Sequence, residues 1–390
     1  MIKNIGLILP SSPGYSEVFI INKILGLLEG GFEVSLFVGG KNRTNKIPES
    51  VPIYYQVDIS HKFHLFYILS ITIILHPIRC YRFLYLERAS KRCWISAIKN
   101  LIINSHIIGK SLDWIHFGFT TAGIGRENLA RSIKAKSAVS FRGFDIGIYP
   151  HQHPGCYNLL WKRIDKVHTI SDDLYQKALD LGLNPKTPYK KITPAISIEF
   201  FKSSSLKNLH KPLRILTVGR LHWKKGYEYA LKALSLLKRK KFDFEYHIAG
   251  EGNQREAIMF GIHQLKLNEN VKLQGQLTHD EIKLEMEWAD IYIQPSIQEG
   301  FCNAVLEAQA MGLLCIVTNA EGLSENVLNE KTGWVVSKRS AEHISDAITK
   351  IINLNINQLN IISQNAIERV GELFNINDYH FKWSAFYRDM

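Results

Sequence analysis

An alternation constrains this chain more than anything else in it. Short apolar runs end at turn-forming residues, and each is followed by a segment with helical spacing. Ile5-Gly6-Leu7-Ile8-Leu9 stops at Pro10-Ser11-Ser12-Pro13-Gly14-Tyr15 and gives way to an amphipathic stretch over about residues 16–29. Further runs follow at 32–38, 114–119, 138–141, 167–170 and 191–194. From Leu213 the pattern starts again, with runs at 213–218, 244–249, 271–274, 291–294, 315–318 and 334–336. Helical patterns at about 227–238, 254–265, 279–289 and 303–311 separate them. Strands alternating with helices form parallel sheets covered on both faces. The expectation is therefore an α/β chain of two doubly wound, Rossmann-like domains. At 390 residues, 46% of them hydrophobic, the chain suits two such cores. Residues 1–201 are assigned to the first domain and 212–375 to the second. The polar stretch 202–211, which lacks apolar periodicity, is the expected linker.

Five cysteines (Cys80, Cys93, Cys156, Cys302, Cys315) make an odd set with no C-x-x-C pair. That pattern argues for free thiols in a reducing cytoplasm and against a zinc site or disulfide framework. Met1-Ile2-Lys3-Asn4 runs straight into the first strand without a signal-peptide pattern. The formal charge of +12 is uneven: residues 1–200 carry 25 Lys and Arg against 14 Asp and Glu, a net of +11. The remainder carries 48 − 25 = 23 against 36 − 14 = 22, a net of +1. No nucleic-acid-binding motif accompanies the basic half, so no nucleic-acid partner is expected. An apolar stretch, 63–75, stops at His76-Pro77 and is too short to span a bilayer. Arg79, Arg82, Arg88, Lys91 and Arg92 follow it, interleaved with Tyr81, Phe83, Leu84, Tyr85 and Trp94. Two readings stay open here: docking on an anionic membrane surface, or a core helix followed by a solvated one.

Chemistry concentrates after two strands of the second domain. Residues 289–296 read as a buried strand ending in a turn, and Glu299-Gly300-Phe301-Cys302-Asn303-Ala304-Val305-Leu306-Glu307 turns from loop into helix. A helix N-terminus above a parallel sheet favours an anion, while carboxylates favour sugar hydroxyls. A ligand with phosphate in one part and sugar in another satisfies both. Upstream, Gly219-Arg220-Leu221-His222-Trp223-Lys224-Lys225-Gly226 places two cations at a strand-to-helix turn, where they can neutralise a diphosphate. Ala249-Gly250-Glu251-Gly252-Asn253 closes another strand, and its glycines allow backbone to approach a ligand closely.

These segments resemble the retaining glycosyltransferases of family 4, which have the GT-B fold. The Glu-x7-Glu spacing with Gly300-Phe301-x-Asn303, the G-R-L-x-x-x-K-G element and the G-x-G turn carry the resemblance. It implies two domains facing each other across a cleft, with the helix of residues 376–390 crossing back to the first. It implies a nucleotide-sugar donor bound by Glu307, Phe301, Cys302, Asn303, Gly250, Gly252 and Leu277, with Glu299, Arg220 and Lys225 at the reacting end. In the first domain, Pro13-Gly14-Tyr15-Ser16-Glu17-Val18-Phe19-Ile20 resembles an element of enzymes that build colanic-acid-like exopolysaccharide and O-antigen. Gly14 is then expected on the donor side, and Ser16 and His116 on the acceptor side. Ser140-Phe141-Arg142-Gly143-Phe144-Asp145 departs from the pattern, because many relatives have histidine where this chain has Arg142. Arginine cannot accept a proton but can bind sugar oxygens or a leaving phosphate. Arg142 is kept as a catalytic candidate on that basis, with pairing to Asp145 as the structural alternative.

The chain has no Asp-x-Asp, and Asp172-Asp173 suits a helix start better than a metal. Neither metal nor cofactor is expected, because Arg220, Lys225 and the helix N-terminus supply positive potential. The expected function is a retaining, metal-independent transfer of sugar from a nucleotide-diphosphate sugar to a saccharide acceptor, lipid-linked and at the inner face of the cytoplasmic membrane. A nucleotide-sugar epimerase or hydrolase, and a non-catalytic nucleotide-sugar-binding scaffold, are the competing readings.

Overall fold

The computed structural model describes residues 3–14, 17–40, 47–57, 62–202 and 209–388. The chain divides into two units, Met1–Ile192 with Tyr379–Met390, and Thr193–Asp378. The division falls ahead of the expected linker, because residues 193–201 are bound into the second unit. Ile196 donates to the carbonyl of Phe374 at 3.0 Å, and Phe201 is buried. Residues 203–208 of the expected linker lie outside the described residues.

The first unit holds seven parallel strands: β1 (Asn4–Leu9), β2 (Glu33–Val38), β3 (Ile53–Tyr55), β4 (Trp114–Phe117), β5 (Lys136–Phe141), β6 (Lys166–Thr169) and β7 (Tyr189–Lys191). Their order is β3-β2-β1-β4-β5-β6-β7. β1 is buried at five of six positions, as a strand covered on both faces must be. The edge strand β3 escapes sequence reading, since its three residues are all partly exposed and form no apolar run. The sheet adds it through Tyr54, which stacks on Phe37 at 5.2 Å. β7 lies earlier than the expected 191–194, where Tyr189 stacks on Tyr175 at 3.9 Å. Four helices matter below: α1 (Val18–Glu29), α2 (Lys62–Leu75), α3 (Pro77–Ala89) and α4 (Trp94–Ile103).

The helix Ile376–Arg388 supplies residues from Tyr379 onward to this first unit. It buries Trp383, Phe386 and Tyr387 almost completely. Two glycines of α1 and its C-terminus let it lie close. A Cβ on Gly26 would meet the His380 ring at 2.6 Å, and one on Gly30 would meet Ser384 Oγ at 2.2 Å.

The second unit holds β8 (Leu213–Val218), β9 (Phe244–Ala249), β10 (Val271–Gly275), β11 (Ile291–Gln294), β12 (Leu314–Thr318) and β13 (Trp334–Val336). All are parallel, in the order β10-β9-β8-β11-β12-β13. Ile215, Tyr246, Ile248, Ile293 and Ile316 form the centre of its core. The strand order reverses between β8 and β11, where Ile291 pairs with Ile215 and Tyr292 with Leu216. Connections leaving these two strands diverge to opposite sides and open a crevice at their carboxyl ends, the usual ligand position of such sheets.

Candidate active site

Both loops expected to carry the chemistry leave the strands that flank this reversal. The first, 219–226, follows β8, and the second, 295–302, follows β11. They are stitched together by backbone: Ile297 N–H donates to Lys224 O at 2.7 Å. Gly226 has φ 65°, and a Cβ there would meet the Pro295 carbonyl at 2.2 Å, so only glycine lets the loops touch. The result brings Lys225 onto Glu299, with the ammonium bonded to the carboxylate. Burial alone would pull the Lys225 amine down, but the Glu299 carboxylate outweighs it and holds the amine above its ordinary value. Arg220 stands exposed at the loop's start and lowers the proton affinity of Lys225 and His222.

Beneath the loops lies a chain of buried hydroxyls and amides. Tyr292 OH donates to Gln294 Oε1 at 2.9 Å, and Gln294 Nε2 donates to Ser296 Oγ at 2.8 Å. Ser296 Oγ lies 3.5 Å from Glu299 Oε2. Tyr227 OH, from the helix that Gly226 opens, donates to the carbonyl of Gly219 at 2.8 Å. The floor therefore holds both loops by side chains that point up from the strands and the first helical turn.

Glu307 follows in the helix Asn303–Ala310, and burial pushes its carboxyl up to about 7. The residues between the two glutamates differ from expectation. The side chains of Phe301 and Cys302 are buried, Phe301 against Phe374 at 5.6 Å. Neither side chain is a ligand group: they anchor the loop to the core. The Cys302 N–H is also engaged, donating to Asn326 Oδ1 at 3.1 Å, while Asn326 Nδ2 donates back to Cys302 O at 3.0 Å. Asn303 opens the helix Asn303–Ala310, so the N–H groups of its first turn have no carbonyl of a preceding turn to bond.

The glycines of the G-x-G turn also have a different reason to exist. A Cβ on Gly250 would meet Gly219 O at 2.0 Å, and one on Gly252 would meet Leu221 O at 2.3 Å. The close approach is to the neighbouring 219–221 backbone, not in the first instance to a ligand. Leu221 N–H donates to Glu251 O at 2.9 Å, so the turn fixes the loop that presents Arg220. Leu277 follows the end of β10 and is partly exposed, a placement that suits an apolar wall.

Sequence reading missed the outer clamp. The Glu299 N–H donates to Glu321 Oε2 at 2.8 Å, and Gly322 N–H donates to Glu299 O at 3.0 Å. Arg369 donates to the carbonyls of Asn326 and Glu325, both at 2.7 Å. Glu321 lies on the turn after β12 and Asn326 ends the short helix Leu323–Asn326, and nothing in their local sequence marks them as partners of a loop some twenty residues earlier.

The first-unit candidates are scattered. Ser16 lies outside the described residues. The Gly14 N–H is taken by Glu17 Oε2 at 2.9 Å. Arg142 follows β5 directly, with its guanidinium 4.0 Å from the centre of the Phe19 ring and beside Tyr379. Asp145 does not pair with that guanidinium. Its carboxylate accepts from the backbone N–H groups of Arg142, Gly143 and Thr120, at 3.0, 2.9 and 2.8 Å, and so staples the loop.

His116 is a correction: it is completely buried and cannot meet an acceptor. Its Nε2 lies 2.7 Å from Ser140 Oγ and its Nδ1 2.6 Å from Tyr387 OH. Ser140 Oγ lies 2.9 Å from His168 Nδ1, and His168 Nε2 lies 2.9 Å from the carbonyl of Ile192. That terminal carbonyl can only accept, and because burial keeps both imidazoles neutral, each proton along the row then has one place. His168 donates to Ile192, Ser140 to His168, His116 to Ser140, and Tyr387 to His116. Burial holds both imidazoles far below the usual histidine range, with Lys23 and Arg142 adding to the effect.

Asp172 and Asp173 sit in the first turn of the helix Asp172–Asp180 behind the cap Ser171. Among the described residues no cluster of three or more His, Cys, Asp and Glu is arranged to hold a metal ion.

Residues 198–369 match the family described as "Glycosyl transferases group 1". The chain is 27% identical to the "Putative colanic acid biosynthesis glycosyltransferase WcaL" of Escherichia coli K12, covering 95% of this chain and 96% of that protein. It is 26% identical to the Escherichia coli "UDP-Gal:alpha-D-GlcNAc-diphosphoundecaprenol alpha-1,3-galactosyltransferase" over 56% of each chain. Among solved structures it resembles Anabaena Alr3699/HepE in complex with UDP, with TM-score 0.76, 14% identity and complete coverage of both chains. The second unit thus carries a match to the glycosyl transferases group 1 family over residues 198–369, and the two parallel-sheet Rossmann-like units are those of the GT-B fold.

Proposed function

We infer that the protein transfers a sugar from a nucleotide-diphosphate sugar to a lipid-linked saccharide during exopolysaccharide synthesis, with retention of configuration and without a metal ion. One observation carries this reading: Lys225 and Glu299 meet at the strand-order reversal, beside Arg220 and above a hydrogen-bonded floor. In the free protein the carboxylate occupies the ammonium. An arriving diphosphate competes for Lys225, and Glu299 is released to accept a hydroxyl of the transferred sugar. Glu307 accepts from the ribose hydroxyls, Leu277 packs against the base, and the N–H of Asn303 at the start of the helix points at a phosphate oxygen. The bond from the anomeric carbon to the phosphate oxygen lengthens toward an oxocarbenium-like state. Its electron pair goes to the diphosphate, where Arg220 and Lys225 balance the growing charge. The acceptor hydroxyl enters on the face the diphosphate leaves and passes its proton to the departing phosphate oxygen as the new bond forms. Positioning and charge stabilisation are then the main contributions of the protein.

Colanic acid and diphosphoundecaprenol in the names of the two relatives support a lipid-linked acceptor in surface polysaccharide assembly. The reading is tested by incubating the protein with labelled nucleotide-sugars and a bacterial lipid extract, with and without chelator. Label appearing in the lipid fraction in both cases is expected. Free labelled sugar makes the protein a hydrolase, and loss of transfer with chelator removes the metal-free scheme.

A further inference from the structure

Helices α2, α3 and α4 leave a large apolar face uncovered. On α3 the residues Ile78, Tyr81 and Tyr85 follow one another at helical spacing and are all exposed, Tyr81 by 70%. The two tyrosine rings stack at 6.4 Å. Ile74 and Leu75 end α2 exposed by 74% and 65%, and Trp94 and Ile95 open α4 exposed by 56% and 82%. Seven large apolar side chains on three consecutive helices exceed the scattered exposure of an ordinary surface. No helix among the described residues is long and apolar enough to cross a membrane.

The charge around this face has one sign. Residues 62–112 contain eight Lys and Arg and a single acidic residue, Glu87. Glu87 is turned inward and fully buried, where Arg92 donates to it at 2.8 Å and Asn128 at 2.7 Å. Arg92 also bridges to Glu127 at 2.8 Å, and Arg79 donates to the carbonyls of Ile108 and Lys110. These two arginines are therefore structural, a correction to counting all five basic residues of the segment as available cations. Arg88 and Lys91 stay exposed, Arg82 is partly so, and the Arg88 guanidinium lies 5.1 Å from the centre of the Trp94 ring.

We propose that this face is an insertion surface for an anionic lipid bilayer. Its aliphatic and aromatic tips enter the boundary between headgroups and acyl chains while Arg82, Arg88 and Lys91 lie against phosphate. A second copy of the chain is disfavoured as occupant, because it would set the same cations against each other. An acidic protein partner would answer the charge, but aromatic rings with a guanidinium beside them suit the layered polarity of a membrane interface better. The proposal deepens the reading of a lipid-linked acceptor and rests on it, since such an acceptor is met only at a membrane surface.

The test is sedimentation of the full chain with vesicles of phosphatidylcholine alone or mixed with phosphatidylglycerol, over a salt series. Binding is expected to the mixed vesicles, with partial loss at high salt as screening shortens the reach of the charges. Replacing Arg82, Arg88 and Lys91 together by Gln lowers vesicle affinity roughly a hundredfold at low salt, at about fivefold for each cation. A Tyr81→Ser, Tyr85→Ser, Ile95→Ser variant loses the salt-resistant part. Trp94 fluorescence is quenched by brominated acyl chains, and a Trp94→Phe variant lacks that quenching. Absence of binding to both vesicle types, or binding that neither variant changes, overturns the proposal. So does concentration-dependent self-association in ultracentrifugation that the serine variant abolishes. Both variants keep stabilisation by nucleoside diphosphate in a thermal shift. Loss of that shift in the parent protein counts against the transferase reading, not against the surface.

Discussion

Glu307 is the residue whose charge state the fold controls most usefully. Its carboxyl is held at about 7 because burial opposes the charged form, and in the role proposed above it is the ionised form that accepts two ribose hydroxyls. Binding therefore draws a proton off Glu307, and affinity rises as pH rises through the neutral range. Calorimetric Kd values for a nucleoside diphosphate are expected to weaken by about tenfold from about pH 8 to about pH 6, beyond any change due to the ligand's own phosphate. Glu307→Gln removes that excess, and an identical pH profile in parent and variant would take Glu307 out of the site. Lys225 and Arg220 call for a different measurement. Alanine at either position is expected to lower turnover by about a hundredfold, on the scale of losing one placed electrostatic donor, and to lower turnover more than it lowers thermal stability. Of the two, Lys225→Ala also leaves Glu299 without its cation. Its kcat should then fall further than its donor KM rises, as fits an interaction realised when the diphosphate departs.

Whole strands and their turns are the scale at which the sequence was most readable. β8, β9, β11 and β13 coincide with the segments 213–218, 244–249, 291–294 and 334–336, because each is rich in apolar residues and closes at Gly219, Gly250, Pro295 or Ser337. The cations of the 219–226 loop and Glu299 were legible because their spacing survives in a single segment each. What was not legible depends on distance along the chain. The burial of His116 is decided by Tyr387 and Ser140, neither of them near it in sequence. The clamp on the 299–302 loop comes from Glu321 and Asn326, whose side chains act on backbone and so leave no pattern of their own. Asn326 yields a prediction at this scale. Asn326→Asp keeps the acceptor for Cys302 N–H and loses the donor to Cys302 O, whereas Asn326→Ala loses both. Unsatisfied buried groups cost about 1–3 kcal/mol each. Donor Kd should therefore rise in the order parent, Asp, Ala while circular dichroism stays unchanged. Equal affinities in all three would reduce the clamp to packing.

The whole molecule should be sensitive to acid through its first unit. The row Tyr387–His116–Ser140–His168–Ile192 works only with neutral imidazoles, and both are held far below their ordinary range. In the unfolded chain they take up protons near about 6.5, so below that the unfolded state binds more protons than the folded one. Stability contributed by the pair is complete above about 6.5 and is lost as pH falls below it. Chemical denaturation at about pH 7.5 and about pH 5 should show this drop. His168→Gln should reduce the drop, because it removes one of the two groups that must charge; a pH dependence unaltered by that change would assign the acid sensitivity elsewhere.

The same row has a consequence for biosynthesis. Tyr387 reaches His116 across 271 positions, and Trp383 and Phe386 fill the same pocket. A ribosome thus releases all seven strands of the first sheet long before it makes the side chains that close that sheet's core. The second unit, contiguous along the chain, can reach its final packing while the first still waits with an open aromatic socket. Maturation runs against the direction of translation, and chains cut before Tyr379 should cling to chaperones through the half that was made first.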